Sequence, residues 1–498
     1  MSPLTITCET EAQTQLLGQD IAAALKSGDL VTLEGDLGAG KTFLVRAIIR
    51  AAAGDEFLEV PSPTFTLLQS YKDLPFGQLA HLDLYRLTTP SELDELGLDE
   101  ALEDGVALVE WPQNGVVEGA DISVQIEIGA GDKRTFSFDG NEAALARLQR
   151  SFSIRKYLNA QGFVDARRNH LTGDASTRAY EFIYPADGSA ALILMNAPAT
   201  PDGPPIKNGK PYSQIAHLAE DMSAFVGAAK LLRDAKFRVP EILHADLDSG
   251  LLLIENLGSG AIVTADRKPI TERYLVATEI LAKMHQTQWS RDTKLANGQS
   301  HHVPEFDHGA ISIELDLLPS WYADHVLGRQ LTDQENADYV TIWDRLIDQL
   351  QVVEKSLALR DFHSPNLIWI DKANGIARVG LIDFQDALWA PSAYDVASLV
   401  HDARIDISPN LEAQLVNHYC ALRNAQSGFD EAQFHKSLAI MQAQRACKLH
   451  GIFVRLSKRD GKDAYLAHLP RIESYLTRAC KHPALAELQQ WVNTVLRV

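Results

Sequence analysis

The 498-residue sequence has little of several features that mark common classes of protein. It has 4 cysteines and no C-x-x-C pair, so neither a cysteine zinc motif nor a disulfide framework is indicated, and free thiols in a reducing compartment are favoured. No apolar run approaches the ~18 residues that a membrane helix needs, and the first residues lack the basic and apolar regions of a signal peptide. We therefore expect a cytoplasmic protein.

Basic residues are also scarce. Lysine and arginine total 46 against 66 aspartates and glutamates, and the net charge of −20 argues against nucleic-acid binding by the whole surface, although a local basic patch remains compatible with it. The chain exceeds what one hydrophobic core usually organises, so two or three domains are expected. No segment rich in proline, serine and glycine offers a flexible linker between them.

A glycine-rich loop near the start of the chain predicts a phosphate site. A helical pattern over Glu11–Lys26 and a predicted strand at Leu30–Leu33 precede the loop, and a helical pattern over Phe43–Ala53 follows it. This is the G-x4-G-K-T motif in its expected strand-to-helix context. Backbone N–H groups would wrap a phosphate, Lys41 would reach the outer phosphates and Thr42 would bind magnesium. The candidate nucleotide-binding residues of this loop are Gly35, Gly38, Ala39, Gly40, Lys41 and Thr42.

Two acidic residues end predicted strands of the same region. Asp83 follows the apolar run that begins at Leu79, and Glu110 follows the run that begins at Val106. Acids at the carboxyl ends of parallel strands point into the ligand crevice. Asp83 is the candidate for binding magnesium or water, and Glu110 is the candidate for activating or orienting the attacking water. Each acid taken alone is also compatible with an ordinary solvated strand end.

A second phosphotransfer signal lies between Leu359 and Ala387. Asp361 and Asn366 have the spacing D-x4-N before one short apolar run, and Asp383 follows a second run in the sequence I-D-F. In kinase-type transfer the first Asp accepts the hydroxyl proton, and the Asn and the second Asp hold magnesium. The alternative is that these are turn residues that flank a hairpin.

Other kinase elements are less regular in this sequence. The glycine-poor segment around Ser176, Thr177 and Arg178 could supply phosphate donors or form an ordinary hairpin turn. The strand Ala191–Ala197 lacks the usual lysine, so Arg178 or a lysine of the loop 207–210 would replace it, or nucleotide binding is weak.

Two further segments bear on the ligands of the second half. The strand that begins at Leu251 leads to Glu255 and Leu257, whose backbone groups are candidates for holding adenine. Basic residues near the C-terminus could bind a substrate carboxylate or a phosphate. Alternatively, they form a solvated helix face that pairs with local acids. These residues are Arg445, Arg455, Arg459 and Lys462.

The first part of the chain resembles TsaE, a small bacterial ATPase family of tRNA threonylcarbamoyladenosine formation. The resemblance covers about residues 5–139 and rests on GDLGAGKT, SPTF, HLDLYRL, ELGLDEAL and VEWP, which occur in that order. It implies that Lys41 and Thr42 bind ATP and magnesium, that Asp83 and Glu110 serve hydrolysis, and that Trp111 lies beside the nucleotide. It also implies TsaB and TsaD as partners, with tRNA reached through their complex.

The rest of the chain resembles the aminoglycoside phosphotransferase family, and within it the AmgK-like kinases of cell-wall amino sugars. The motifs are GDASTRAY, ILMNAP, ENLG, LRDFHSPNL, LIDFQDA and PSAYDVASL, with Leu359 in place of the usual His. The resemblance implies ATP-dependent phosphorylation of the anomeric hydroxyl of N-acetylmuramate and N-acetylglucosamine in peptidoglycan recycling. Asp361 would be the base, Asn366 and Asp383 would bind magnesium, and Asp395 would brace the loop.

Together these patterns predict a bifunctional enzyme. We expect an α/β P-loop NTPase domain at residues 1–145 and a protein-kinase-like, two-lobed α+β domain at residues 146–498. Its N-lobe would span about residues 153–258 and its C-lobe about 259–498. The alternatives for the second domain are another hydroxyl acceptor, such as an aminoglycoside, choline or homoserine, and a catalytically inactive scaffold.

Overall fold

A computed structural model describes residues 4–87, 89, 91–171, 178–199, 203–425 and 428–497. Ser176 and Thr177 of the predicted phosphate hairpin lie outside these residues. The chain forms two compact units, one of Met1–Ala197 with Leu243–Asn256 and the other of Pro198–Ile242 with Leu257–Val498. Across the described ranges, no helix is both long and apolar enough to cross a membrane.

A seven-stranded sheet forms the first half of the first unit. Its strand order is β1-β7-β6-β2-β5-β4-β3, and the pairs β2–β5, β2–β6 and β4–β5 are parallel. The carboxyl ends of β2, β4 and β5 therefore lie at one edge of the sheet. The strands are β1 (Leu4–Cys8), β2 (Leu30–Glu34), β3 (Leu68–Leu74), β4 (Gly77–Asp83), β5 (Gly105–Glu110), β6 (Ile122–Ile128) and β7 (Arg134–Gly140).

The central strands β2 and β5 are buried along nearly their whole length. Parallel strands are buried in this way when helices cover both faces of the sheet. The first two helices pack closely, since a Cβ on Gly18 would lie 2.4 Å from the Cβ of Ala47. The helices are α1 (Glu11–Ala22), α2 (Lys41–Ala53), α3 (Ser91–Asp94), α4 (Leu98–Glu103), α5 (Pro112–Gly115) and α6 (Glu142–Ala160).

A second sheet in the same unit has the strand order β11-β12-β10-β9-β8. The C-terminal half of α6 packs on it, because Ile154 and Leu158 share a core with Ile183 and Leu253. The N-terminal half of α6 contributes Leu148 to the core of the seven-stranded sheet. One helix therefore serves two cores. The strands are β8 (Arg167–Leu171), β9 (Ala179–Tyr184), β10 (Leu192–Asn196), β11 (Ile242–Asp246) and β12 (Leu251–Glu255).

A buried ion network joins these elements. Arg168 of β8 donates from Nη1 to Asp20 Oδ1 of α1 at 2.7 Å and from Nε to Glu181 Oε2 of β9 at 2.6 Å. Arg155 of α6 donates from Nη2 to Asp20 Oδ1 at 2.9 Å. Asp20 and Arg168 are each 3% exposed, and buried charges are tolerated when they are paired and hydrogen-bonded. The network fixes α1, α6, β8 and β9 relative to one another.

Helices make up most of the second unit, and the 30-residue α15 is buried over most of its middle. Its helices are α7 (Tyr212–Ile215), α8 (Met222–Asp234), α9 (Thr271–Gln286), α10 (His308–Leu315), α11 (Ala323–Leu327), α12 (Asp333–Leu350), α13 (Ala393–Val400), α14 (Pro409–Asn424), α15 (Glu431–Asp460), α16 (Leu469–Ala479) and α17 (Ala486–Trp491). Its paired strands are β13 (Asp292–Lys294) with β14 (Ser300–His302), β15 (Lys355–Ala358) with β18 (Leu388–Pro391), and β16 (Leu367–Trp369) with β17 (Val379–Leu381).

The predicted fold classes are confirmed, a P-loop type α/β sheet followed by a kinase-like five-stranded sheet and helices. The predicted boundary between residues 145 and 146 lies inside α6 and stays a prediction.

We predict that Asp20→Asn lowers the free energy of unfolding by about 3 kcal/mol, because it leaves the buried guanidinium of Arg168 short of one counter-charge. Urea denaturation measures this change. The matched control is Glu56→Gln, which breaks the exposed ion pair with the neighbouring Arg167 and should cost less than ~1 kcal/mol. Equal effects of the two substitutions would contradict the prediction.

Candidate active sites

The loop after β2 has the backbone shape of a phosphate cradle. Gly40 has φ +102° immediately before α2, and Gly35 has φ +149°. A Cβ on Gly35 would lie 2.7 Å from the carbonyl oxygen of Ile126, so a side chain does not fit there. Free backbone N–H groups at the start of a 13-residue helix suit a phosphate. Gly38 and Ala39 lie between these glycines.

Lys41 is buried at the first position of α2. Its Nζ donates to the carbonyl oxygens of Gly35 at 2.7 Å and Asp36 at 3.0 Å, and lies 3.6 Å from the ring centroid of Trp111. Burial lowers the pKa of Lys41, while the carboxylates of Glu110 and Asp83 oppose that shift. The structure thus places Trp111 beside the lysine. The ammonium group can exchange carbonyl oxygens for phosphate oxygens.

Glu110, the last residue of β5, contacts the first turn of α2 and a residue of β4. Its Oε2 accepts a hydrogen bond from Thr42 Oγ1 at 2.8 Å, and its Oε1 lies 2.9 Å from Nε2 of the fully buried His81. Asp83, two residues after His81, accepts from the hydroxyl of Thr64 at 2.7 Å. Residues two apart on a strand share a face, which could have identified His81 from the sequence. The two predicted acids therefore lie at the carboxyl ends of β4 and β5, where Glu110 also contacts Thr42.

The three predicted kinase residues meet across the hairpin of β16 and β17 in the second unit. Asn366 donates from Nδ2 to the carbonyl oxygen of Asp361 at 3.0 Å and lies 3.3 Å from Asp383 Oδ2. The pairing of Leu367 with Leu381 brings them together. Asp383 has φ +59°, a strained conformation for a residue with a side chain, as is common at functional sites.

Positive charge surrounds the carboxylate of Asp361. Burial acts to raise its pKa, but the cations Lys448, Arg445 and Arg360 act in the opposite direction, and the net result is a lowered pKa. Asp361 is therefore ionised at neutral pH and can accept a proton or orient a hydroxyl group.

Backbone hydrogen bonds fix the loop before Asp361. Asp395 at the start of α13 is fully buried and accepts from the backbone N–H groups of Leu359 at 2.5 Å and Arg360 at 3.0 Å. Burial raises the pKa of Asp395 to about 7. The bracing role predicted for Asp395 matches these contacts. Leu359 is 3% exposed, so an apolar side chain packs where the family motif has His.

A buried charge cluster holds Arg360, which has φ +72°. Its guanidinium pairs with Glu314 of α10 and donates to the carbonyl oxygen of Ala216 at 3.0 Å. Lys448 of α15 pairs with Glu314 at 2.7 Å, and Gln444 donates to the other Glu314 oxygen at 2.8 Å. Sequence motifs do not indicate this cluster, because its members lie on elements far apart in the sequence.

Part of the basic run near the C-terminus also supports the loop. Arg445 is buried and donates to the carbonyl oxygen of Arg360 at 2.8 Å. Arg459 pairs with the adjacent Asp460 at 2.7 Å. The interpretation of the whole run as a solvated helix face is therefore wrong for Arg445.

The other predicted nucleotide contacts are Arg178, Glu255 and Leu257, which are divided between the two units. In the first unit, Arg178 lies directly before β9, and Glu255 ends β12 opposite Leu192 of β10. In the second unit, Leu257 packs against β17, where a Cβ on Gly380 would lie 2.6 Å from Leu257 Cδ1.

These sites define two classes of protein. A glycine-rich loop followed by Lys and by a Thr that bonds to a strand-end acid is typical of P-loop nucleotide hydrolases. A D-x4-N loop whose Asn contacts an Asp across a hairpin is typical of kinase-type phosphotransferases. The model of the phosphotransferase enzyme family matches residues 169–435, and that of threonylcarbamoyl adenosine biosynthesis protein TsaE matches residues 8–136. The chain belongs to the phosphotransferase enzyme family, and its first part belongs to the TsaE family.

Individual relatives agree with this division. An N-acetylmuramate/N-acetylglucosamine kinase of Caulobacter vibrioides is 32% identical over 362 residues, which cover 70% of this chain and 98% of the relative. The kinase of the same name from Neisseria meningitidis is 30% identical and covers 68% and 93%. The tRNA threonylcarbamoyladenosine biosynthesis protein TsaE of Rickettsia felis is 42% identical over 135 residues, or 27% of this chain and 78% of the relative.

We predict that Glu314→Gln lowers the free energy of unfolding by about 3 kcal/mol, because Arg360 and Lys448 lose their buried counter-charge. Burial acts to raise the pKa of Glu314, but these two cations hold it at about 2, below its ordinary 4.5. The wild-type advantage is therefore complete at neutral pH and is lost only as the pH falls from 4.5 toward 2.

Urea denaturation of both proteins at pH 7 and pH 6 should give the same difference. Asp316→Asn is the control, since its pair with Lys207 at 3.5 Å is exposed and should contribute less than ~1 kcal/mol. A difference that has already shrunk at pH 6 would contradict the assignment.

Proposed function

We propose that the chain carries two ATP-dependent activities. The first part would hydrolyse ATP in tRNA threonylcarbamoyladenosine formation, together with TsaB and TsaD. The second would transfer the γ-phosphoryl group of ATP to the anomeric hydroxyl of N-acetylmuramate and N-acetylglucosamine. The observation that carries the kinase proposal is the meeting of Asp361, Asn366 and Asp383 in a chain that covers 98% of an amino-sugar kinase.

In the kinase reaction, Asp361 accepts the proton of the attacking sugar hydroxyl. The hydroxyl oxygen forms a bond to the γ-phosphorus as the bond to the bridging oxygen breaks, and ADP leaves. Lys448 and Arg445 keep Asp361 ionised, so that it is ready to accept the proton. Asp395 and Arg360 hold the loop so that the carboxylate keeps its position. Arg178 and the backbone of Glu255 and Leu257 are the proposed nucleotide contacts.

Asn366 and Asp383 have the chemistry to hold magnesium, because Mg²⁺ prefers carboxylate and amide oxygens. Asn366 would hold the ion through its amide oxygen and Asp383 through its carboxylate. Magnesium there would neutralise phosphate charge during transfer.

In the first part of the chain, the P-loop glycines and Lys41 would bind the phosphates, and Trp111 would lie next to the nucleotide. Thr42 and Asp83 supply hydroxyl and carboxylate oxygens suited to magnesium. Glu110, fixed by Thr42 and His81, would orient the attacking water. In hydrolysis, the water oxygen would bond to the γ-phosphorus as the bond to the bridging oxygen breaks. The water protons would pass to phosphate and solvent, and ADP and phosphate would leave.

We predict that Asp361→Asn lowers the kinase rate by about 10²-fold or more, because the proton acceptor is lost. The assay incubates the whole chain with magnesium-ATP and each amino sugar and follows the phosphosugar by mass spectrometry. Asp371→Asn, an exposed position on the same hairpin, is the matched control and should retain the rate. Kanamycin, choline and homoserine are tested in parallel. Phosphorylation of one of these without any amino-sugar product would overturn the acceptor assignment.

We predict that Lys41→Ala abolishes ATP hydrolysis in the presence of TsaB and TsaD and leaves the kinase rate unchanged, since the two sites use separate phosphate contacts. Lys26→Ala, at an exposed position of the same region, should retain both activities. ATP hydrolysis is followed by phosphate release. Loss of the kinase rate in Lys41→Ala would show that the activities are coupled.

A further inference from the structure

Three side chains of metal-ligand type converge between α14 and α15, apart from both phosphotransfer sites. Cys420 lies on α14, and Glu431 and His435 lie one turn apart on α15. One ligand atom of each residue lies within 4.8 Å of the others. Residues four apart on a helix present their side chains on the same face, so Glu431 and His435 can act as a chelating pair.

The separation of His435 from Glu431 is longer than a direct hydrogen bond, and that of Cys420 from His435 is at the outer limit of a weak sulfur hydrogen bond. His435 Nε2 lies 3.9 Å from Cys420 Sγ and 3.6 Å from Glu431 Oε1. An N–H···O hydrogen bond would bring the heavy atoms to about 2.7–3.2 Å. Two ligands of one tetrahedral zinc ion lie roughly 3.3–3.6 Å apart, given zinc-to-ligand distances of about 2.0–2.3 Å. Small side-chain movements would therefore complete the geometry.

We propose that Cys420, Glu431 and His435 form a binding site for a zinc-like divalent cation. The thiol is buried, with Cys420 2% exposed, while the side chains of His435 and Glu431 are 41% and 47% exposed. An ion bound there has protein ligands on its inner side and water in the fourth position.

A second contact orients the carboxylate. Asn424 at the end of α14 donates from Nδ2 to Glu431 Oε2 at 2.6 Å and leaves Oε1 facing His435. Partners that orient ligand side chains in this way strengthen metal binding.

The ligand set selects the ion. Cys420 binds as the thiolate, and its proton passes to solvent as the sulfur–metal bond forms. Sulfur and imidazole ligands favour Zn²⁺ and Co²⁺, whereas Mg²⁺ prefers oxygen ligands. The site is therefore chemically distinct from the magnesium positions proposed at Asn366 and Asp383. A bound ion would link α14 to α15, the helix that also carries Lys448.

The test is a titration of the magnesium-free whole chain with Co²⁺, followed by absorption spectroscopy. We expect a thiolate-to-cobalt charge-transfer band that saturates at one equivalent and disappears when Zn²⁺ is added. Cys420→Ser should abolish the band. Cys480→Ser, at another buried cysteine, is the matched control and should retain it.

His435→Gln provides a second variant at a half-exposed position, where folding is not at risk. We expect it to weaken Co²⁺ binding roughly 10-fold or more, because it removes one of three protein ligands. Absence of the band in the wild type, or a band that persists in Cys420→Ser, would overturn the proposal. An unaltered Co²⁺ affinity in His435→Gln would do the same.

Discussion

Charges that leave water must be paired, and this constraint organises each compact unit. In the first, Asp20 and Glu181 neutralise Arg155 and Arg168, which come from a helix and a strand more than 130 residues after Asp20. In the second, Glu314 neutralises Arg360 and Lys448. Each network joins segments that apolar packing alone would hold less specifically, because an ion pair buried with hydrogen bonds tolerates little displacement. The second network ends at the residue before Asp361, so it also holds the proposed base.

The shared helix α6 explains how two families occupy one chain without a flexible linker. Its N-terminal half completes the core of the seven-stranded sheet, and its C-terminal half covers the five-stranded sheet. Hydrophobic contact on both halves makes α6 part of both cores. The family matches end at residue 136 and resume at residue 169, so α6 lies in the interval that neither match includes.

The departure from the family motif at Leu359 has a physical account. The loop is held by its backbone N–H groups, which Asp395 accepts, and by the side chain of Arg360. A leucine at this position needs only an apolar environment, which it has. The alternative of a catalytically inactive scaffold rests on this departure and on the missing lysine of the strand Ala191–Ala197. The contacts of Asn366 with Asp361 and Asp383 argue against the first of these two grounds.

The sequence by itself determined the two fold classes, both phosphotransfer motifs and the elements that flank the glycine-rich loop, because these depend on local spacing and on apolar periodicity. The strand predicted at Leu30–Leu33 forms β2 (Leu30–Glu34), whereas α1 ends at Ala22 rather than Lys26, because Asp29 accepts the backbone N–H of Lys26. Only the tertiary structure decided that His81 holds Glu110, that Glu314 holds Arg360, and that Cys420 meets His435. These partners come from different elements, and a side chain's position in a periodic pattern shows which face it occupies but not which distant residue it meets.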